Sequence, residues 1–170
     1  MSEPSAHLPY FRTSGSAGAS GAAGPLLSPA EGFAAYGHDA IVLVARVLIA
    51  YVFLQSGFSK LLDIHQFATE LAHKHVPFHD VLGVVAPSVE FVGALAVLLG
   101  FQTRYAAGLM ILFVIAATAV GHRFWDFTGD EHARQVIHFN KNLCMAGGLL
   151  LLVAVGGGRF SIDGLWQRKA

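Results

Sequence analysis

Residues 81–101, Val-Leu-Gly-Val-Val-Ala-Pro-Ser-Val-Glu-Phe-Val-Gly-Ala-Leu-Ala-Val-Leu-Leu-Gly-Phe, form an apolar run with a single carboxylate, Glu90, near its middle. A helix crossing a bilayer needs about 20 mostly apolar residues, and a charge at its centre costs roughly 2.5 to 3.5 kcal/mol on insertion scales. Glu90 therefore needs a partner or a proton. Its helical neighbours Ala86, Gly93 and Ala94 are small, so another helix can approach it closely and the carboxylate is expected to face protein rather than lipid. Pro87, one turn earlier, removes a backbone donor and frees the carbonyl of Gly83, a kink that membrane helices tolerate.

The rest of the 170-residue chain agrees with that constraint. It is 54% hydrophobic and only 13% charged, too apolar for an ordinary soluble domain of this length. The fold expected is all-α: an integral membrane four-helix bundle, up-down-up-down, with a short interfacial helix between spans one and two. Eleven basic residues balance eleven acidic ones, which gives no reason to expect nucleic acid as a partner. A lone cysteine, Cys144, excludes an internal disulfide and a CxxC redox pair.

Residues 1–37, rich in Gly, Ala, Ser and Pro, have no apolar periodicity and are read as a disordered tail that is retained in the mature protein. The first span runs from about Ala40 to Phe58. Arg46, Ala50, Phe53, Gly57 and Lys60 repeat at spacings of four and three and should form its inward stripe. Arg46 either snorkels to the headgroups or pairs with Glu90 on the antiparallel neighbour. Counted from the ends of the spans, the two groups differ in depth by an amount an arginine side chain can bridge, which favours the pair.

Between these spans, Leu61, Ile64, Ala68 and Leu71 repeat at helical spacing, giving an interfacial helix stopped at Val76-Pro77. The third span, Tyr105 to Gly121, presents Gly108, Ile111, Ile115, Thr118 and His122 on one face, and residues 122–138 are read as a polar connection carrying interfacial aromatics. The fourth span covers roughly Ile137 to Gly156. Its Lys141 lies either at the interface or slightly within the bundle. Beyond Gly156-Gly157-Gly158 comes a short basic tail able to rest on a membrane surface.

Four spans put both termini on one side, but Lys and Arg divide five to five between the faces. Basic residues clustered after the last span favour cytoplasmic termini. On the opposite face the topology gathers Lys60, His122 and Lys141, with His65, His73, His75, His79, His132 and His138 around them. This rim is either a chance clustering in polar loops or a titratable edge. The His73-x-His75 and His79 spacing is not a strong metal pattern, and no metal site is expected. No P-loop, dinucleotide fingerprint, nucleophile elbow or HExxH occurs.

An ordered set of residues resembles the DoxX family of small bacterial and archaeal membrane proteins over about residues 38–163. It comprises Ala45-Arg46, Phe53-Leu54-x-x-Gly57-x-x-Lys60, Val89-Glu90-x-x-Gly93, Leu99-Gly100-x-x-Thr103-Arg104, His122, Asn142-Leu143-x-x-x-Gly147-Gly148 and Gly158-Arg159-Phe160-Ser161-Ile162-Asp163. Relatives in that family are linked to membrane redox chemistry, some as subunits of thiosulfate:quinone oxidoreductase. The resemblance implies an inner (plasma) membrane protein serving a quinone-linked, sulfur- or thiol-related redox assembly. Quinone would be its only cofactor, since the chain carries no evident electron carrier. Partners compatible with this are the bilayer, a redox partner protein and a second copy of the chain. The expected pocket combines Arg46, Lys60, Lys141 and Asn142 as binding groups with Glu90 and His122 as proton carriers. Two other classes stay open: a small membrane carrier, for which a buried acid beside a proline kink is also expected, and a structural or assembly subunit in which the ion pair only sets helix register.

Overall fold

The computed structural model describes residues 29–169. Within them the chain forms six α-helices: α1 (Pro29–Leu62), α2 (Ile64–His73), α3 (His79–Leu99), α4 (Thr103–Gly121), α5 (Gly129–Val155) and α6 (Ile162–Gln167), with a 3-10 turn at Phe124–Asp126. Among the described residues, four helices are long and apolar enough to cross a membrane: those containing Tyr36–Leu62, His79–Leu99, Thr103–Asp126 and Gly129–Val155. Large apolar side chains such as Leu48, Val92, Leu112 and Leu151 cover the outside of the bundle, as a lipid-facing surface requires. The protein is an all-α integral membrane bundle.

The stripe expected on α1 is the one that packs inward: Arg46, Ala50 and Phe53 are buried, Gly57 is buried, and Lys60 is half-buried. Helix α1 lies chiefly against α3, and α4 against α5. Gly57 is where α1 and α3 touch, because a Cβ there would stand 3.0 Å from the Phe91 amide nitrogen and 3.2 Å from the Pro87 carbonyl. That contact fixes the antiparallel register of the pair. Helix α2 begins at Asp63, whose carboxylate accepts the Gln66 N–H at 2.9 Å. It buries Ala68 and Leu71, as the amphipathic spacing predicts, and packs on α3, with Ala68 against Gly83.

Three expectations are corrected. The expected tail boundary at residue 37 falls inside α1, which starts at Pro29; the part of that tail from 1 to 28 lies outside the described residues. The connection expected over 122–138 is mostly helix, since α5 starts at Gly129 and places Lys141 twelve residues inside it, on its exposed side. The face of α4 is also different. Its buried residues are Thr103, Ala107, Met110 and Val114, while Ile115 is exposed. A membrane helix is apolar on every side, so apolar periodicity does not reveal which face meets protein.

Candidate functional site

Each end of the bundle holds one polar centre. The one nearer the described ends of the chain is built on Arg46, which is 1% exposed. Its Nη1 donates to the Gly157 carbonyl at 2.5 Å, and its Nη2 donates to Leu98 and Phe160, both at 2.9 Å. Leu98 lies in the last turn of α3 and Gly157 just beyond α5, where unpaired carbonyls and the negative ends of the helix dipoles accumulate. Arg46 thus fastens α1 to the exits of two other helices. The expected Arg46–Glu90 pair does not form. Because Gly57 sits beside Pro87 and Phe91, Arg46 falls opposite the far end of α3, about 12 Å along the axis from Glu90 at 1.5 Å per residue.

Nearby, Asp163 reaches back sixty residues to cap α4. It accepts Gln102 N–H at 2.8 Å, Thr103 N–H at 2.7 Å and the Thr103 hydroxyl at 2.7 Å. Asp39 accepts the Arg159 N–H at 3.0 Å. No local capping pattern in the sequence announces either contact, because each carboxylate comes from a distant segment.

The second centre contains the partner of Glu90. Lys60 Nζ lies 2.7 Å from Glu90 Oε2 and donates a further hydrogen bond to Ser56 Oγ at 2.9 Å. The Glu90 side chain is 4% exposed and that of Lys60 30% exposed. This asymmetry follows from position: Glu90 is midway along α3, about 16 Å from its first residue, whereas Lys60 is two residues from the end of α1. Lys60 also sits 5.3 Å from the ring centroid of Phe67 on α2, a favourable cation–π distance.

A cavity of about 90 Å³ surrounds this pair and includes Lys60, Glu90, His122, Lys141 and Asn142 in its wall. Five of the six side chains expected at the site are therefore brought together, and Arg46 is the exception. Helices α1 and α5, which meet only sparsely, flank the cavity; Ile49 rests on Gly148 further along the seam. At about 30 Å³ per water, the space matches roughly three water molecules.

His122 follows α4 and stacks on His138 of α5, with ring centroids 4.9 Å apart. Its Nδ1 is 3.0 Å from Gln135 Oε1, and the Gln135 amide nitrogen donates to Glu131 at 2.7 Å. With that nitrogen committed as a donor, Gln135 Oε1 is the acceptor, so Nδ1 carries the proton and Nε2 is the atom left to accept one. Glu131 in turn pairs with Arg134 at the surface. A polar chain thus runs from the cavity rim to the outside along the first turns of α5.

Asn142 divides two spaces. Its amide nitrogen donates to Thr118 Oγ1 at 2.8 Å, and Thr118 donates to the Val114 carbonyl at 2.6 Å. On the far side lies an apolar pocket of about 270 Å³ between α4 and α5, walled by Ile115, Ala119, Trp125, Phe139, Leu143 and Ala146. Val114 and Asn142 belong to both walls. No group of three or more potential metal ligands occurs among the described residues, and the histidine rim brings His122 and His138 together as a stacked pair.

The DoxX family model matches residues 41–123. Among curated proteins, the chain is 32% identical over 123 residues to inner membrane protein YphA of Escherichia coli strain K12, covering 72% of this chain and 88% of that one. It is 34% identical over 135 residues to inner membrane protein YqjF of the same strain, covering 78% and 96%. No solved structure matches it significantly.

Proposed function

The chain belongs to the DoxX family, and from that membership and the acid–base cluster inside its bundle we propose that it is an inner-membrane subunit or accessory of a quinone-linked redox assembly, handling protons for the reaction. The observation that carries the reading is the Lys60–Glu90 contact of 2.7 Å in the wall of a polar cavity at mid-helix depth. A buried acid with a cation beside it and a route outward is what proton transfer inside a bilayer requires. The inner-membrane names of its two bacterial relatives support the location.

A quinone, when bound, supplies two-electron redox chemistry coupled to two protons. The 90 Å³ cavity is too small for its ring, since a cavity of about 150 Å³ is what accommodates benzene. The adjoining 270 Å³ pocket is large enough. There Asn142 offers its second amide hydrogen to a carbonyl and its Oδ1 to a hydroxyl, so one side chain suits both ring oxidation states. Glu90 and His122 lie on the other side of Asn142, as the groups that pass protons to and from the ring. Lys60 and Lys141 keep the cavity cationic, and Phe139 with Trp125 shields the ring site from water. With a single cysteine the chain has no thiol pair to cycle, so electrons come from a partner protein that oxidises a sulfur or thiol compound.

Protein purified with its native lipid should carry quinone, and Asn142→Leu should lose it. Glu90→Gln should retain quinone but lose quinone-linked thiosulfate or sulfide oxidation in cells. An absence of quinone, together with unchanged oxidation after deletion of the gene, would overturn the reading. A small carrier is the second reading, favoured by Pro87 lying one turn from Glu90 and touching α1 at Gly57. Glu90-dependent solute uptake into proteoliposomes without any redox partner would select it.

A further inference from the structure

The face opposite the proton cavity carries a larger space that the redox reading does not use. A cleft of about 750 Å³ lies where α4 begins, α5 ends and α6 crosses, and three guanidinium groups line it: Arg104, Arg159 and Arg168. Two carboxylates, Asp39 and Asp163, share the lining, which leaves it one net positive charge, and they already face donors of the protein. Both Asp163 oxygens accept hydrogen bonds from the start of α4, and Asp39 accepts the Arg159 amide. The arginines are less fully used. Arg104 spends Nη1 on the Val153 carbonyl at 2.9 Å, Arg168 makes one 3.3 Å bond to the Arg159 carbonyl, and Arg159 stands over the Tyr36 ring at 5.0 Å with Asp39 3.8 Å away. Each guanidinium has five donors, so most of them are left to face an incoming acceptor. Arg46, buried behind the cleft without a carboxylate in hydrogen-bond contact, adds a further positive charge.

The position of the cleft narrows the ligand. The apolar spans α4 and α5 start and stop at its walls, so it opens at headgroup level. Its surroundings are apolar: Phe101, Tyr105, Phe160, Leu165 and Trp166 are all exposed, and Phe101 meets Trp166 edge-on at 5.6 Å. Aromatic side chains of this kind anchor at the membrane interface. Clustered guanidiniums set inside an apolar rim complement a molecule with an anionic head and hydrocarbon tails, and arginine binds phosphate oxygens in a forked, directional geometry.

We propose that this cleft is a binding site for the phosphate headgroup of an anionic phospholipid. Arg104, Arg159 and Arg168 hold the phosphate, while Trp166 and Leu165 on α6 lie against the acyl chains. The lipid thereby bridges α4, the segment after α5 and α6, which ties residues 156–167 to the bundle.

The test uses full-length protein, delipidated in mild detergent and returned to nanodiscs or assayed by native mass spectrometry with phosphatidylglycerol, phosphatidylcholine or inorganic phosphate. The expected result is at least about tenfold preferential retention of phosphatidylglycerol. At a factor of about five per arginine, the preference should fall to about twofold in Arg168→Gln and vanish in Arg104→Gln/Arg168→Gln. Since Arg104 also caps α5, a second measurement needs no arginine change. In a Trp125→Phe background, where Trp166 is the only tryptophan, phosphatidylglycerol with brominated acyl chains should quench fluorescence at lower mole fraction than brominated phosphatidylcholine. Equal retention or equal quenching by the two lipids overturns the proposal. Binding of inorganic phosphate without any lipid preference overturns it too, because the site would then serve a free anion.

Discussion

Replacing Lys60 with methionine removes the only cation in direct contact with Glu90 among the described residues and leaves a carboxylate whose side chain is 4% exposed. Two unit charges about 4 Å apart attract by roughly 4 kcal/mol at an effective dielectric of 20, and removing one partner of a buried pair typically costs about 3 to 5 kcal/mol. The reverse change, Glu90→Gln, should cost only about 1 kcal/mol. Lys60 is 30% exposed, keeps its bond to Ser56 and lies near the Phe67 ring, so its ammonium stays solvated. In Lys60→Met/Glu90→Gln neither charge is stranded, and the combined loss should fall at least about 1 kcal/mol below that of Lys60→Met alone. Reversible unfolding in detergent micelles across the four proteins should therefore give a coupling energy of at least about 2 kcal/mol. The same cycle with Arg46→Gln in place of Lys60→Met should be additive within about 0.5 kcal/mol. Additive losses for Lys60 and Glu90, or strong coupling between Arg46 and Glu90, would refute the assignment.

Arg46→Gln should destabilise the bundle by more than about 3 kcal/mol, because three bonds from a charged donor are lost. Arg46→Lys should recover only part of that in the same unfolding assay, since an ammonium lacks the fork that reaches three carbonyls. Asp163→Ala should cost about 1 to 2 kcal/mol and speed hydrogen exchange at Gln102 and Thr103, whose amides it caps; unchanged exchange at these positions would contradict the capping role. Gly57→Val should lower the yield of folded protein and cost about 3 kcal/mol, because its Cβ meets the α3 backbone at 3.0 Å. A neutral result would mean that α1 and α3 do not touch there.

The inward stripe of α1 was legible because two cations and a glycine break its apolar symmetry at helical spacing, and small neighbours marked the protein-facing side of Glu90. Three of the side chains around the Lys60–Glu90 cavity, Lys60, His122 and Lys141, followed from folding the spans up and down. The pairing did not follow. Depth counted from an assumed start at Ala40 placed Arg46 near Glu90, whereas the Gly57 contact sets the register that puts Lys60 there instead. Arg46 could not have been matched from residue types at all, since its partners are backbone carbonyls 52, 111 and 114 residues away. Likewise Thr118 stands out in α4 as a polar residue, but only the packing of α4 on α5 shows that it receives Asn142.

The most direct test is a solid-state NMR distance between the Lys60 side-chain nitrogen and the Glu90 carboxyl carbon in lipid bilayers, using selective nitrogen and carbon labelling. Strong dipolar dephasing between these two nuclei, as a 2.7 Å nitrogen–oxygen contact requires, is the predicted outcome. Absence of dephasing from Lys60, with dephasing from the Arg46 guanidinium in its place, would contradict it.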